Sequence, residues 1–276
     1  MIHLSAFADE ISPDLDEQIA VLQSEHIHYL DLRGAWNANV LDLSDAQVNE
    51  IRRKLDAQSM AISAIASPIG KVPVDSPFDE HLQRFERAIT LAQIFSTPFI
   101  RIFSFYPPAS AKGDPADWRD EVLIRLREMA ARAGAAGITL LHENEKDIYG
   151  DSIACCVDLL KSIDNVHFQA ILDPANFIQS GQIPYPDAYA ALHPWLRYMH
   201  VKDARPDGSV VAAGEGAARW PELLQRLHND GYEGFFSLEP HLTAGGQFSG
   251  FSGPDLFRQA SQALQGMLNK MGWEVA

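Results

Sequence analysis

Short apolar segments alternate with amphipathic helical patterns along the whole chain, and this alternation constrains the fold more than any other feature. The segments recur at intervals of roughly 25–40 residues, which is typical of consecutive βα units. Eight strands are predicted, at 2–8, 28–32, 60–66, 99–103, 137–141, 170–172, 197–199 and 235–238. We therefore predict an α/β fold of the (β/α)8 TIM-barrel type. An open doubly wound sheet is less favoured, because no G-x-G-x-x-G motif follows the first strand.

The length and composition agree with this architecture. The chain has 276 residues, of which 46% are hydrophobic and 21% charged, as expected for a globular protein with a sizeable core. Since no Ser/Gly-rich linker divides it, residues 1–276 are predicted to form one TIM-barrel domain. The net charge of −15 argues against nucleic acid and anionic membranes as partners, because their phosphates would be repelled.

The cysteines and the N-terminus suggest where the protein works. Cys155 and Cys156 are adjacent and have no metal-type spacing, so a reducing cytoplasm is the expected environment. The chain starts Met1-Ile2-His3-Leu4 without a basic and then apolar leader. No apolar run approaches the ~18 residues needed to cross a membrane. We expect a soluble, cytoplasmic protein.

Four successive strands in the second half of the chain end in side chains that bind metals. The strand that reaches Leu141 is followed at once by polar residues that include Glu143, and the next three strands end in Asp173, His200 and Glu239. The ends of neighbouring parallel strands meet at one edge, so these side chains should converge. Three carboxylates converge only around a cation, and an imidazole completes a metal-ligand set. The sequence therefore predicts a metal site.

Each of these residues also has a simpler explanation. Asp173 precedes Pro174 and could cap a turn, His200 could be a core histidine, and Glu239 could pair with Lys202. Structural ion pairs of this kind are common. The occurrence of all four residue types at four separate strand ends favours a functional site.

Further polar residues follow strand ends and would share the same face of the barrel. Directional donors and acceptors are what a polyhydroxy or anionic ligand requires. Lys202 and Asp203 could instead form a local ion pair. The candidate substrate-binding residues are Arg33, Lys71, Glu145, Lys146, Asn176, Lys202, Arg205 and His241.

The sequence resembles the sugar phosphate isomerase/epimerase family, whose members share a xylose isomerase-like TIM barrel. The resemblance covers essentially the whole chain. It is carried by Leu140-Leu141-His142-Glu143-Asn144-Glu145, Leu172-Asp173-Pro174-Ala175-Asn176-Phe177, His200-Val201-Lys202-Asp203, Gly214-Glu215-Gly216 and Leu238-Glu239-Pro240-His241.

This resemblance implies one divalent metal ion held by Glu143, Asp173, His200 and Glu239. Oxygen-rich ligation favours Mn²⁺ or Mg²⁺, with Co²⁺ or Zn²⁺ as alternatives. In similar ketose 3-epimerases the two glutamates are also the acid/base pair, here Glu143 and Glu239. The expected activity is isomerisation or epimerisation of a small sugar, sugar phosphate or polyol derivative. Proton transfer would pass through a metal-stabilised ene-diolate.

Three other functions remain open at this stage. A dehydratase of an inosose- or dehydroshikimate-type substrate would begin with the same proton abstraction. A non-catalytic, metal-dependent sugar-binding protein is a second possibility. An endonuclease IV-like nuclease is disfavoured, because Ser67, Ser104 and Asn176 stand where that group has zinc-binding histidines. The expected partner is a small carbohydrate, and a homo-oligomer is compatible with such barrels.

Overall fold

Eight parallel strands form a nearly closed barrel in the computed structural model, which describes residues 1–108, 113–243 and 250–276. The strands are β1 (His3–Ala6), β2 (Tyr29–Leu32), β3 (Ala61–Ala66), β4 (Phe99–Ile102), β5 (Thr139–Glu143), β6 (Phe168–Leu172), β7 (Leu196–Val201) and β8 (Phe235–Leu238). Each strand from β2 to β7 pairs with its successor, and β8 pairs with β1. In the described residues, β1 and β2 are joined by a parallel bridge between Phe7 and Asp31. The predicted TIM-barrel architecture is confirmed.

Amphipathic helices connect the strands. They are α1 (Leu15–Ser24), α2 (Asp45–Ala57), α3 (Phe78–Ile94), α4 (Arg119–Ala135), α5 (Ile153–Ile163), α6 (Pro174–Gln179), α7 (Tyr189–Leu192), α8 (Trp220–Asn229) and α9 (Gly253–Lys270). In α2, a capping box of Ser44 and Gln47 satisfies the first amides, and Val48, Ile51 and Leu55 are buried at helical spacing. Among the described helices, none has the length and apolar character required to traverse a bilayer.

The structure differs from the predicted elements at two places near the site. Strand β5 continues to Glu143 rather than ending at Leu141, because its ladder with β6 extends to the pair Glu143 and Ile171. The sequence also predicts a helix over Tyr185–Leu192, but the α helix begins only at Tyr189, since Tyr185 has extended backbone angles. The short helix α6 was not predicted.

A buried polar network crosses the barrel interior. The carboxylate of Asp31 on β2 accepts hydrogen bonds from the hydroxyls of Ser63 (2.7 Å), Tyr198 (2.6 Å) and Ser237 (2.6 Å). Ser63 is in turn 2.5 Å from Ser5, hydroxyl to hydroxyl. Four strands of the barrel besides β2 therefore depend on one buried carboxylate, directly or through Ser63.

We expect Asp31→Leu to lower the free energy of unfolding by about 3 kcal/mol or more, because three buried hydroxyls lose their acceptor. Urea denaturation at neutral pH measures this loss. Ser237→Ala, which removes one of the three hydrogen bonds, should cost about 1 kcal/mol. An Asp31→Leu loss no larger than that of Ser237→Ala would contradict a shared network.

Candidate metal centre and cavity

The four predicted ligand residues lie together at the carboxyl ends of their strands. Glu143 ends β5, Asp173 follows β6, His200 is the penultimate residue of β7, and Glu239 follows β8. All four are buried, and one ligand atom from each lies within 4.8 Å of all the others. The barrel topology thus produces the convergence that their positions in the sequence predict.

The two carboxylate oxygens of Asp173 make different contacts. Oδ1 accepts a hydrogen bond from the amide of Asn176 (2.9 Å) and so caps α6, with Pro174 at the first helical position. Oδ2 lies 2.8 Å from Nζ of Lys202 but has no hydrogen bond of acceptable geometry. Burial raises the pKa of Asp173 to about 6, although the charge of Lys202 partly offsets this effect.

His200 directs one ring nitrogen at two carboxylates. Its Nδ1 lies 3.2 Å from Oε1 of Glu143 and 3.3 Å from Oε2 of Glu239, yet makes no well-directed hydrogen bond to either. Burial lowers the pKa of His200, but the two carboxylates outweigh it and raise the pKa to about 10. A ring nitrogen pointing between two carboxylates has the geometry of a ligand to a shared cation.

The two glutamates are held by cations and by an amide. Nη1 of Arg101 lies 3.1 Å from Glu143, and Nδ2 of Asn176 donates to the same carboxylate at 3.3 Å. Nη1 of Arg33 lies 3.2 Å from Glu239. Burial alone would raise the pKa of Glu143, but His200 and Arg101 hold it at about 2. Glu143 is therefore ionised at neutral pH.

The charges of the described site residues leave a deficit of positive charge. Six carboxylates belong to the site and its surroundings, namely Asp9, Glu10, Glu143, Glu145, Asp173 and Glu239. The cations in contact with them are Arg33, Lys71, Arg101 and Lys202. The carboxylates outnumber these arginines and lysines by two. In the metal-free site the raised pKa values of His200 and His241 let protons on their rings offset this excess, and a divalent cation could replace those protons. The unsatisfied atoms of Asp173 and His200 offer that cation ligands.

A cavity of about 280 Å³ opens over the cluster and is lined in part by Glu143 and Glu239. Five predicted substrate-binding residues also line it, namely Arg33, Lys71, Glu145, Lys202 and His241. This volume is slightly below the range found for pockets that bind drug-sized ligands. The cavity is therefore of a size suited to a small metabolite.

Three other predicted substrate-binding residues do not line this cavity. Asn176 is buried behind Glu143, to which it donates. Lys146 is exposed, and the chain turns immediately after it at Asp147, whose φ is +66°. Arg205 is exposed in the short antiparallel hairpin that follows β7. The position of a residue directly after a strand determines on which face of the barrel it lies, but it does not determine the direction in which its side chain points.

The residues after β1 contribute to the site but were not among the predicted ligands or substrate contacts. Asp9 lies 2.7 Å from Nε of Arg33. Glu10 accepts from the amide of His241 (2.8 Å) and lies 3.1 Å from its Nε2. Nε2 of His241 is also 3.4 Å from Glu239. From the sequence, Glu10 follows the end of the first strand and is expected on this face of the barrel, and Asp9 beside it has the same relation to the strand.

Asp203 organises a loop instead of pairing with Lys202. Its carboxylate accepts hydrogen bonds from the amides of Gly214, Gly216 and Ala218, each at 3.0 Å. A side chain at position 216 would be blocked, since a Cβ there would lie 2.2 Å from Oδ1 of Asp203. Lys202 contacts Asp173 and Glu239 instead, so the local ion pair considered from the sequence is not formed.

A buried histidine fixes the loop that carries Lys71. Nε2 of His81, on α3, accepts a hydrogen bond from the amide of Gly70 at 3.2 Å. Gly70 has φ +90°, and a Cβ there would lie 2.0 Å from the carbonyl oxygen of Phe103. Burial, aided by the charge of Arg125, lowers the pKa of His81 to about 4. His81 is thus neutral in the folded protein at neutral pH.

Because the pKa of His81 is about 4 when folded and about 6.5 when unfolded, the unfolded chain binds this proton first. We expect its stability contribution to be complete above pH 6.5 and to fall by about 2–3 kcal/mol as the pH drops to 4. Denaturant unfolding at several pH values measures this loss, and His81→Gln provides a non-titrating acceptor for comparison. Equal pH slopes in the two proteins, or an NMR-measured pKa near 6.5, would contradict the assignment.

Comparisons with known proteins agree with the observed fold. A family model described as xylose isomerase-like TIM barrel matches residues 27–267. Among curated proteins, no significant match was found. Solved structures give many matches.

Three solved structures illustrate this likeness. The probable 3-DHS dehydratase AsbF from Bacillus anthracis has 18% identity and a TM-score of 0.74, covering 96% of this chain and 99% of its own. A xylose isomerase-like TIM barrel protein from Mycobacterium smegmatis, in complex with magnesium, has 20% identity and a TM-score of 0.73, covering 98% and 96%. D-Psicose 3-epimerase from Clostridium cellulolyticum H10, with D-tagatose, has 15% identity and a TM-score of 0.76, covering 97% and 99%. At these identities the likeness concerns the fold.

Proposed function

We propose that this chain, which belongs to the xylose isomerase-like TIM barrel family, is a divalent-metal-dependent isomerase or epimerase of a small sugar or polyol derivative. The observation that carries the proposal is the convergence of two buried, cavity-lining glutamates with Asp173 and His200. Glu143 and Glu239 come from different strands, and both line the cavity. Two carboxylates that reach one ligand can remove and return a proton.

In this proposal Glu143, Asp173, His200 and Glu239 hold the metal ion, with Mn²⁺ or Mg²⁺ favoured by the three carboxylates. When bound, the ion supplies polarisation of a substrate carbonyl, which lowers the pKa of the neighbouring C–H bond. The magnesium complex of the Mycobacterium smegmatis protein is compatible with this choice.

The chain's own residues supply the proton transfers. Arg101 and His200 keep Glu143 ionised, which is the form that accepts a proton. Glu239 lies across the cluster, and although burial raises its pKa, Lys202 and His241 lower it well below its usual value, so Glu239 first takes up a proton from solvent. It then gives this proton to the adjacent carbon (isomerisation) or to the other face of the same carbon (epimerisation), while Glu143 releases the abstracted proton to solvent. Arg33 and Lys202 contact Glu239 and hold it in place.

Solvent deuterium incorporation tests the proposed reaction. Metal-loaded protein is incubated in D₂O with D-psicose, D-tagatose, D-fructose and an inosose, and the products are followed by NMR. We expect deuterium beside the carbonyl together with an isomer or epimer of the substrate. Deuterium with loss of water would instead identify a dehydratase, which shares the first proton abstraction. No exchange with any of these compounds would contradict the proposal.

A further inference from the structure

We propose that the substrate of this cavity is uncharged, a free sugar or polyol ketone rather than a phosphate ester or a carboxylate. This inference takes the reaction from the proposed function and adds the chemical class of the ligand. It rests on how the positive groups around the cavity are already used.

The side-chain cations that line the cavity are each paired with a carboxylate of the same chain. Within the described residues these pairs are Arg33 with Asp9, Lys71 with Glu145, Arg101 with Glu143 and Lys202 with Asp173, at 2.7–3.1 Å. His241 contacts Glu10 and Glu239, so a proton on its ring would likewise be offset. No surplus positive charge in the described lining therefore faces an anionic ligand.

The loop Gly214-Glu215-Gly216 could also bind a phosphate through its backbone amides, but these amides already donate to a side chain of the same chain. The amides of Gly214 and Gly216 point in a way that would suit an anion. Both donate to Oδ2 of Asp203 at 3.0 Å. The Asp203 carboxylate itself lies where a phosphate oxygen would have to be.

Electrostatics then decides between the ligand classes. The described carboxylates of the site outnumber its arginines and lysines by two, which is the charge that one divalent ion brings. A neutral ligand leaves that balance intact, whereas a phosphate ester or carboxylate would bring uncompensated negative charge into a buried cavity. Asn39 and Tyr106 line the same cavity and are polar groups suited to hydroxyls.

Matched pairs of ligands test the inference. Binding to the metal-loaded protein is measured by calorimetry for D-fructose against D-fructose 6-phosphate, and for scyllo-inosose against 3-dehydroshikimate. We expect the uncharged member of at least one pair to bind at least about tenfold more tightly than its charged partner. Tighter binding of a charged member, or no binding of either uncharged ligand, would overturn the inference.

Glu145→Gln provides a gain-of-binding variant, because it releases Lys71 from its partner. We expect it to improve the affinity for D-fructose 6-phosphate by about tenfold relative to that for D-fructose. Glu86→Gln makes the same change of charge on the surface, where Glu86 pairs with Arg132, and should leave this ratio unchanged. An equal shift in both variants, or none in Glu145→Gln, would count against paired cavity cations.

Failure of this inference can be told apart from failure of the proposed function. If uncharged ligands bind preferentially but acquire no solvent deuterium, the ligand class stands and the proposed reaction fails. If a charged ligand binds more tightly and exchanges its proton, the reaction stands and the ligand class fails.

Discussion

Glu143→Gln and Glu239→Gln are each expected to lower kcat by about 10²–10⁴-fold, the usual contribution of a positioned acid or base. Glutamine preserves the size of the side chain and can still accept the hydrogen bond that Asn176 donates to Glu143, but it cannot carry the transferred proton. The measurement is the initial rate of deuterium incorporation into whichever ketose the wild-type protein turns over.

Metal content must be measured for both variants, because the same glutamates are proposed ligands. At metal concentrations that saturate each variant, the loss of rate reports proton transfer rather than an empty site. Glu121→Gln, which alters a carboxylate paired with Arg125 on the face of α4, is the remote control and should retain wild-type rates. A metal-loaded variant of either cluster glutamate with more than about a tenth of wild-type activity would contradict its role.

The positions of the four clustered residues could be predicted because the barrel constrains them strongly. Glu143, Asp173, His200 and Glu239 lie in or directly after parallel strands that are neighbours in the sheet. A side chain at such a position has little freedom to leave the carboxyl end of the barrel. The alternation of strands and helices in the sequence therefore determines both the fold and the convergence of these four side chains.

Residues farther from a strand end could not be placed in the same way. Lys146 comes three residues after the end of β5, and a turn through Asp147 leaves it exposed. Asp203, two residues beyond β7, folds back onto the amides of its own loop. Loop conformation depends on hydrogen bonds with distant segments, such as that between Gly70 and His81, and the local sequence does not reveal these.

The pairing of charges was equally inaccessible to a sequence-based argument. Arg33 and Asp9 are separated by a helix in the chain, yet their side chains meet at 2.7 Å because β1 and β2 are adjacent. From the residue types alone, the sequence predicted metal-binding and substrate-binding side chains on this face of the barrel. Its charge state and its partner depend on the closed barrel, which brings the first and last strands together.

Binding of Mn²⁺ or Mg²⁺ is expected to stabilise the folded protein, because the unfolded chain cannot assemble the four ligands. At a free metal concentration one hundred times Kd, the free energy of unfolding should rise by about 2.7 kcal/mol. Asp173→Asn should lose nearly all of this increment, since a thousandfold weaker site would gain only about 0.06 kcal/mol at the same concentration. Denaturant unfolding with and without metal measures the increment within each protein.

Asparagine separates the two tasks of Asp173, because it can still cap α6 through its side-chain oxygen while losing the charge directed at the cluster. Removing that charge also leaves Lys202 without its nearest partner, so the metal-free variant should itself be less stable. Only the metal-dependent difference therefore reports ligation. Asp14→Asn makes the same substitution at the cap of α1, where Asp14 is exposed and does not line the cavity, and should keep the full increment. A full increment in Asp173→Asn would place the ion elsewhere, with the neighbouring group of Glu10, Glu239 and His241 as the alternative.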